Sequence, residues 1–390
     1  MNILGRTEFG TSWIIIVRLS ESLVITVLHV ITSIEPGGAE HHLLSLVKAQ
    51  VKRGYGVVVS YLKSTPKNLR AKFEEAGAKL LPLELKRYGQ ISPLLKLKSA
   101  IRREAPDLVH AHLPPAELYA RLALLGCGRT VLIISKHNDE RFAPVIGSNC
   151  LARWVARQSD ATICISHAVK DYWISKKVIK EDQTEVIHYG ISKAPEIVKP
   201  VLRKEIGIRA DEILFGFVGR LVPQKALDNL LGAFALLNAP NAQLVLVGNG
   251  PLETSLKKLV AKRKIGSRVF FLGHRDDIPN VMASLDVLVL GSDYEGFGLV
   301  LLEAMRAGTP VLATRVSAIP EVVEHDLTGL LVPPRDPQAM SDGMAKIMSQ
   351  KLRERMGHAA IKAVENRFGM DQMVSRTEQV YRRTIEKCAA

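Results

Sequence analysis

The sequence is poor in aromatic residues and in cysteine. Phe, Trp and Tyr make up 5% of its 390 residues, and no nucleic-acid-binding motif is recognisable. Proteins that bind single-stranded nucleic acid stack the bases on aromatic side chains, so we expect no nucleic-acid partner. The four cysteines, Cys127, Cys150, Cys164 and Cys388, have neither the spacing of metal ligands nor that of a disulfide framework. This usage is typical of a reducing compartment, and the cytoplasm is the expected location.

Long hydrophobic runs are also lacking. The apolar runs at residues 13–17 and 23–30 are separated by Arg18 and Glu21, and neither reaches the ~18 residues of a membrane span. No small-residue cleavage site follows the first run, so a signal peptide fits poorly. We predict that residues 1–24 form a weakly ordered N-terminal extension.

The chain contains no pattern that is typical of metal binding. No Asp-x-Asp sequence occurs, and no group of His, Cys, Asp or Glu has the spacing of metal ligands. If the protein binds phosphate groups, Arg, Lys and backbone N–H groups must balance their charge. We therefore expect no metal and no other cofactor.

Acidic residues are scarce relative to basic ones, above all in the first half. The net charge is +14 overall, +10 for residues 1–200 and +4 for residues 201–390. Such a surplus suits an anionic membrane surface or a phosphorylated ligand.

Two segments combine basic and apolar residues. The first comprises residues 86–88, 94–98 and 101–103, and the second comprises Arg153, Trp154 and Arg157. Segments of this kind can lie on anionic lipid, although a solvated helix that packs its leucines inward gives the same pattern. We predict peripheral association with the inner face of the cytoplasmic membrane through this basic part of the chain.

Short apolar runs alternate with helix-like stretches along the chain. Predicted strands lie at 25–30, 57–62, 79–83, 107–112, 130–136, 161–166, 214–218, 242–247, 269–272, 286–290 and 311–314. This rhythm predicts α/β architecture with doubly wound parallel sheets. Residues 192–203 break it with two prolines and three basic residues, which indicates a linker. Two C-terminal helices are expected near 338–368 and 370–386.

The length of the chain favours two domains, because one hydrophobic core seldom supports 390 residues. We predict two tandem Rossmann-like domains, at residues 25–195 and 196–369, that face each other across a cleft. In such sheets, ligands bind at the carboxyl ends of the strands.

The most informative stretch joins a strand, a glycine-rich loop and a helix. Residues 286–290 are apolar, Gly296 and Gly298 lie in the loop, and residues 299–307 are helix formers. Such a junction aligns unpaired backbone N–H groups with the positive end of the helix dipole, which favours an anion such as phosphate.

Two glutamates border this junction. Glu295 lies in the loop and Glu303 about two turns into the helix, so both can reach one pocket. Surface glutamates at a helix start are common, and glycine-rich turns recur in many α/β proteins, so this pattern alone leaves the role open.

A second phosphate-binding pattern follows the strand at 214–218. Gly219 and Arg220 end this strand, and Lys225 stands at the next helix start. Arg can clamp a phosphate with two hydrogen bonds, and Lys adds a point charge. Two solvated cations are the alternative, but the combination with the loop at 295–298 favours a diphosphate site.

Histidines mark the strand ends in the first half. His110 and His112 close one predicted strand, and we expect only one of them to face the cleft. His137 and His167 follow the next two strands. A lone histidine at a strand end is commonly structural, but several on one edge suggest a wall that faces a second substrate.

Together these motifs resemble the retaining glycosyltransferases of family 4, which have the GT-B fold. The residues that carry the resemblance are Gly37-Gly38-Ala39-Glu40, His112, Gly219-Arg220 with Lys225, residues 247–251, and the pair Glu295 and Glu303. The resemblance covers about residues 25–385. The Glu-x₇-Glu segment, in order with Gly-Arg-x₄-Lys, is its specific part.

The resemblance implies a role for each matching residue. Glu295 would bind hydroxyls of the donor sugar, Glu303 the ribose, and Arg220 and Lys225 the diphosphate, while His112 would lie beside the reacting sugar. The remaining donor-binding residues implied are Gly37, Gly38, Gly219, Leu272, Gly273, His274, Phe297, Gly298 and Leu299. In this family the last helix, here within residues 370–390, crosses back onto the first domain.

Three positions depart from the family pattern. Ala226 stands where a glycine is usual after the lysine, Asn249 where an aspartate is usual, and His188-Tyr189-Gly190 where Pro-Asn-Gly is usual. The first change bears on the backbone of the phosphate loop, and none removes a charged group.

The expected function is therefore a retaining, metal-independent transfer of a hexosyl or hexosaminyl group from a nucleotide-diphosphate sugar, expected to be a UDP-sugar. The expected acceptor is a glycan or a lipid-linked molecule of cell-surface polysaccharide or lipopolysaccharide biosynthesis. A nucleotide-sugar 2-epimerase of the same architecture and a non-catalytic sugar-nucleotide-binding protein are the alternatives.

Overall fold

Among the residues that the structure describes, thirteen strands form two sheets in which every neighbouring pair is parallel. The computed structural model describes residues 24–66, 68–128, 130–138, 148–193 and 201–389. The predicted extension, apart from Val24, lies outside these residues, and so does most of the predicted linker.

The first sheet contains seven strands and the second six. The first-sheet strands are β1 (Thr26–Ser33), β2 (Gly56–Lys63), β3 (Lys79–Pro82), β4 (Leu108–His112), β5 (Val131–Lys136), β6 (Ala161–Cys164) and β7 (Thr184–Val186). The second-sheet strands are β8 (Ile213–Val218), β9 (Ala242–Val247), β10 (Val269–Gly273), β11 (Val287–Leu290), β12 (Val311–Thr314) and β13 (Gly329–Val332).

Helices connect these strands. They are α1 (Gly38–Lys52), α2 (Arg70–Glu75), α3 (Ile91–Glu104), α4 (Pro114–Ala123), α5 (Ser148–Arg157), α6 (His167–Ser175), α7 (Leu202–Glu205), α8 (Leu227–Leu236), α9 (Glu253–Lys262), α10 (Ile278–Ser284), α11 (Leu299–Arg306), α12 (Ile319–Val322), α13 (Pro337–Ile347), α14 (Gln350–Arg367) and α15 (Met370–Ala389). In the part of the chain that the structure covers, no helix is both long enough and apolar enough to span a membrane.

The strand order shows where each sheet reverses its direction of winding. The orders are β3-β2-β1-β4-β5-β6-β7 and β10-β9-β8-β11-β12-β13. The reversals lie between β1 and β4 and between β8 and β11. The prediction of two doubly wound sheets is confirmed, and the predicted domain boundaries stay predictions.

Helices on both faces explain why the strands read as nearly continuous apolar runs. Every residue of β4, β9 and β11 is buried, as is usual for parallel sheets. Polar side chains in these strands therefore have to be hydrogen-bonded within the core.

Several elements differ from the sequence-based expectation. Strands β7 and β13 and helices α6 and α7 were not predicted, and the helix expected at 338–368 is two helices, α13 and α14. Between them Ser349 is extended, with ψ 118°. At the start of β13, a Cβ on Gly329 would lie 2.5 Å from the carbonyl oxygen of Val311, so the short strand depends on a glycine that periodicity does not reveal.

The last helix, α15, packs on the first sheet. Val374 and Tyr381 are buried in one apolar cluster with Val27 and Ile31 of β1. Arg53, just after α1, forms ion pairs with residues of α15. The C-terminal end of the chain is thus part of the core of the first domain.

A buried ion pair joins β5 to α4. Lys136 Nζ lies 2.5 Å from Glu117 Oε2, and each side chain is 1% exposed. Lys136 also lies over the ring of Trp173, 4.9 Å from its centroid. Removing one partner of such a pair leaves a buried charge without compensation.

We expect Lys136→Met to lower the free energy of unfolding by about 3–5 kcal/mol, because Glu117 is left unpaired in the core. The double variant Lys136→Met/Glu117→Leu should recover most of this loss. Urea unfolding of the full chain, followed by tryptophan fluorescence, measures both. A double variant as unstable as the single one would contradict the explanation.

Candidate functional site

The loops that follow β1, β4, β8 and β11 lie at the two reversal points. In open α/β sheets these crevices, at the carboxyl ends of the strands, are where ligands bind. The four loops contain Gly37, the residues after His112, residues 219–226 and residues 291–298. Most of the site residues that the sequence predicts therefore gather at the two crevices.

The loop after β11 is shaped by its glycines. Gly298 caps α11 with φ 84°, a left-handed conformation that favours glycine. A Cβ on Gly296 would collide with the carbonyl oxygen of His137, which follows β5 of the first sheet. The start of α11, with Phe297 and Leu299 beside Gly298, is thus presented where the two domains meet.

Glu295 and Lys225 form an ion pair at this junction. Their side chains are only 9% and 14% exposed, and the Ser292 hydroxyl donates to the same carboxylate oxygen of Glu295 at 3.0 Å. The amide of Gln224 donates to the carbonyl of Tyr294 at 2.9 Å and ties the two loops together. The cation expected to bind phosphate and the carboxylate expected to bind sugar therefore neutralise each other.

Arg220 is exposed and faces α1 of the first domain. Burial raises the pKa of Glu40, in the first turn of α1, to about 7, while the nearby charge of Arg220 acts in the opposite direction. The Glu40 carboxylate folds back over Gly37. The N-terminal end of α1, including Gly38, therefore lies opposite the loop after β8.

The segment after β10 lies beside this crevice. Leu272 is partly buried, Gly273 has φ 66°, and the carbonyl of Gly273 accepts from the N–H of Gly248 at 2.7 Å. Burial lowers the pKa of His41 in α1. The charge of the nearby His274 adds a smaller effect in the same direction.

Ala226 adopts a left-handed conformation, with φ 43° and ψ 47°, directly after Lys225. This conformation costs a non-glycine residue roughly 1–2 kcal/mol. The loop after β8 thus keeps a glycine-type backbone although an alanine occupies the position.

Glu303 lies on α11, partly buried. Burial raises the pKa of this carboxyl to about 7, and the charge of Arg306 opposes the shift. Arg306 in turn donates to the carbonyl of Ser192 at 3.0 Å. Burial thus favours the protonated form of the Glu303 carboxyl.

His112 is fully buried, with both ring nitrogens in hydrogen bonds. Its Nε2 lies 3.0 Å from His29 Nδ1, and its Nδ1 lies 3.0 Å from His137 Nε2. The expectation that only one of His110 and His112 would face the cleft is corrected: residues two apart share one face of a strand, and both rings are buried, 4.1 Å apart.

Polar contacts tie the second domain to the first near this site. Glu321 of α12 accepts from the N–H groups of His167 and Ala168 at 2.8 Å and from His188 Nε2 at 2.9 Å. The Ser166 hydroxyl donates to the carbonyl of Gly296 at 2.9 Å. His167 therefore belongs to the domain contact, which the sequence did not indicate.

Two groups of three residues could hold a metal ion by position, among the residues that the structure describes. They are His29, His110 and His112, and His167, His188 and Glu321, with ligand atoms within 4.8 Å of one another in each group. The members come from separate elements, so sequence spacing could not reveal them. All six ring nitrogens of the first group are hydrogen-bonded already, and metal independence stays a prediction.

Comparisons with known proteins agree with this geometry. The family described as Glycosyltransferase Family 4 matches residues 36–194, and the family described as Glycosyl transferases group 1 matches residues 198–363. The N-acetyl-alpha-D-glucosaminyl L-malate synthase of Bacillus anthracis is 30% identical over 296 residues, which cover 73% of this chain and 77% of that protein. This chain belongs to glycosyltransferase family 4.

Other relatives of this glycosyltransferase extend the comparison. The UDP-Gal:alpha-D-GlcNAc-diphosphoundecaprenol alpha-1,3-galactosyltransferase of Escherichia coli is 26% identical over 302 residues, covering 74% of this chain and 78% of that one. The structure of Anabaena HepE in complex with UDP and glucose superposes with a TM-score of 0.80 at 23% identity, covering 91% and 98% of the two chains. The latter likeness shows the GT-B fold.

The structure of this glycosyltransferase also shows hydrogen-bond contacts around the candidate site that the sequence did not reveal. Ser292 holds Glu295, Gln50 holds His29, and Tyr189 closes the histidine contacts, with its hydroxyl 2.5 Å from His137 Nδ1. Gln50 and Tyr189 lie far from their partners in the sequence, and Ser292, three residues before Glu295, belongs to no motif, so no local pattern marks these contacts. Glu40 was recognised only as part of the Gly-Gly motif, without a role.

The raised pKa of Glu303 predicts a pH dependence of stability. The folded protein holds this proton more tightly than the unfolded chain does, so stability is full below about pH 4.5 and is lost as the pH rises from there to about 7. We expect Glu303→Gln to remove this loss. The melting temperature of the ligand-free variant should fall less between pH 5 and pH 8 than that of the wild type.

Glu354→Gln, on the exposed face of α14, is the matched control. An equal flattening of the pH profile by this control would show that the buried position of Glu303 is not the cause.

Proposed function

We propose that this glycosyltransferase moves a hexosyl or hexosaminyl group from a UDP-sugar to a glycan or lipid-linked acceptor, with retention of configuration and without a metal. One observation carries the proposal: Lys225 and Glu295 form an ion pair at the reversal point of the second sheet, between the loop that holds Arg220 and the start of α11, the helix that carries Glu303. The negative charge of a diphosphate matches the cations and the N–H groups. The hydroxyls of the two rings beside it can donate to the two carboxylates.

Each group then has one task. Arg220, Lys225 and the N–H groups of residues 297–299 bind the diphosphate, as helix starts and cations do. Glu295 accepts from hydroxyls of the transferred sugar, and Glu303 accepts from the ribose. The departing diphosphate is stabilised by these fixed donors, which favour the transition state because the negative charge on the leaving oxygen grows there.

The first domain supplies the opposite wall. Gly37 and Gly38 let the diphosphate approach the start of α1 once the Glu40 carboxylate moves off Gly37, and Leu272, Gly273 and His274 border the base. His112 lies beside the reacting sugar once a ligand displaces one of its ring partners.

The named relatives support the substrate classes without identifying them. The Escherichia coli relative is named for a UDP-galactose donor and a diphosphoundecaprenol-linked acceptor, and HepE was crystallised with UDP and glucose. A lipid-linked acceptor of polysaccharide or lipopolysaccharide biosynthesis would also suit the basic surface of the first domain.

The ion pair between Lys225 and Glu295 generates a test. A diphosphate has to take Lys225 from Glu295 before it can bind. We expect Glu295→Gln to bind UDP about three- to tenfold more tightly, because a pair worth about 1 kcal/mol no longer competes. The same change should abolish slow hydrolysis of the UDP-sugar. Calorimetry with UDP and a hydrolysis assay measure the two effects.

The donor is first chosen by a thermal-shift screen of UDP-, GDP- and ADP-sugars, since stabilisation rises with affinity. Arg220→Ala is the comparison variant and should lose both UDP binding and hydrolysis. Weaker UDP binding by Glu295→Gln would contradict the assigned exchange of partners. Isomerisation of the donor without an acceptor would indicate a 2-epimerase, and binding without turnover a regulator.

A membrane-facing surface lies on α3 and α5. Leu97 and Ile101 of α3 are buried, whereas Ile91 and Leu95 are 67% and 59% exposed on the same helix. Trp154 of α5 is 38% exposed. Apolar side chains outside a helix's buried face, surrounded by Lys and Arg, are what binding to anionic lipid requires.

We expect the full chain to bind phosphatidylglycerol-containing vesicles at low salt, and the double variant Ile91→Glu/Leu95→Glu to bind about tenfold or more weakly, because two apolar insertions are lost and two negative charges are added. Vesicle sedimentation measures the bound fraction. Leu236→Glu, at a position 52% exposed on α8 of the second domain, is the control and should bind as the wild type does. Wild type that stays in the supernatant at low salt would contradict membrane association.

A further inference from the structure

One chain of hydrogen bonds runs through the core of the first domain. It joins eight side chains in the order Tyr189, His137, His112, His29, Gln50, Tyr381, His110 and Ser135. None of the eight residues is more than 5% exposed. The chain begins at the domain interface, where the ring of Tyr189 packs edge-on against Phe297, and reaches helix α15 at Tyr381.

Gln50 determines the direction of this chain. Its amide oxygen lies 2.9 Å from His29 Nε2, and its amide nitrogen lies 3.4 Å from the hydroxyl of Tyr381. An amide oxygen only accepts, so His29 Nε2 carries a proton. Burial lowers the pKa of His29 to about 4, so the ring is neutral near pH 7 and its Nδ1 accepts.

The proton positions of the next two rings follow. His112 Nε2 has to donate to His29 Nδ1, so Nδ1 of His112 accepts. His137 Nε2 then donates to His112 Nδ1, and the hydroxyl of Tyr189 donates to His137 Nδ1. Burial holds the pKa values of His112 and His137 far below 6.5, which keeps both rings neutral.

Gln50 differs in kind from the other seven members. A neutral imidazole can exchange its donor and acceptor by moving a proton, and a hydroxyl can do so by rotating. An amide has a fixed donor end and a fixed acceptor end. The polarity of the chain therefore resides in the orientation of Gln50, on α1 and two hydrogen bonds away from His112.

We infer that Gln50 is a positioning residue: acting through His29, it holds His112 in the Nε2–H form and leaves the Nδ1 lone pair as the group that His112 can offer to a ligand. The inference rests on the proposed function for one point, the place of His112 beside the reacting sugar. A ligand group that replaces His137 at Nδ1 must be a donor, as a sugar hydroxyl is.

Gln50→Leu removes the amide oxygen that accepts from His29 Nε2, and the leucine side chain has a volume similar to that of glutamine. We expect ¹⁵N NMR of imidazole-labelled wild type to show His29, His112 and His137 as neutral Nε2–H rings, and the variant to show both tautomers at His112. The kcat of sugar transfer or donor hydrolysis should fall about ten- to a hundredfold, with the KM of the donor within about twofold, because the nucleotide contacts are unchanged.

Gln50→Glu is the conservative variant. Its carboxyl oxygen still accepts from His29 Nε2, so His112 should keep the Nε2–H form and kcat should recover most of the loss. Gln243→Leu, at a buried glutamine of β9 in the second domain, is the matched control for the stability cost of the substitution and should leave tautomers and kcat unchanged.

Three results would overturn the inference. They are a wild-type His112 with its proton on Nδ1, a Gln50→Leu variant with unchanged His112 tautomer and kcat, and binding of one Zn²⁺ by His29, His110 and His112. If Gln50→Leu does not fold, the wild-type spectrum and Gln50→Glu decide the question. A chain that binds no nucleotide refutes the proposed function instead, because the tautomers are measured without a ligand.

Discussion

A parallel strand covered by helices on both faces can expose polar groups only beyond its ends. This constraint governs both sheets, since the central strands β4, β9 and β11 are buried along their whole length. The loops at the carboxyl ends must then supply every group that meets a ligand. The cations, carboxylates and glycine-rich turns of this glycosyltransferase accordingly collect at the two reversal points.

The exception to this constraint lies in the core of the first domain. His29 and His110 stand inside buried strands, where a polar group without a partner is costly. Their hydrogen bonds form one continuous sequence with Gln50 and Tyr381. Because α15 supplies Tyr381, the far end of the chain takes part in satisfying polar groups next to the site.

In the second domain, the basic residues of the candidate site lie next to carboxylates. Lys225 is neutralised by Glu295 from the neighbouring loop, and Arg220 faces Glu40 across the crevice. Both carboxylates stand near positions that the proposal gives to phosphate oxygens. In the proposed function, phosphate binding and sugar binding are coupled through an exchange of partners at Lys225.

The sequence alone determined the alternation of strands and helices, the two parallel sheets and the family, because these depend on local periodicity and on short motifs such as Glu-x₇-Glu. It missed β13, whose four residues depend on a close approach at Gly329, and it placed one helix where Ser349 separates two. Only the tertiary structure decided that Lys225 pairs with Glu295 and that His110 and His112 are both buried. It also decided that Gln50 and Tyr381 complete the histidine chain, since they are 331 residues apart and only packing brings such partners together.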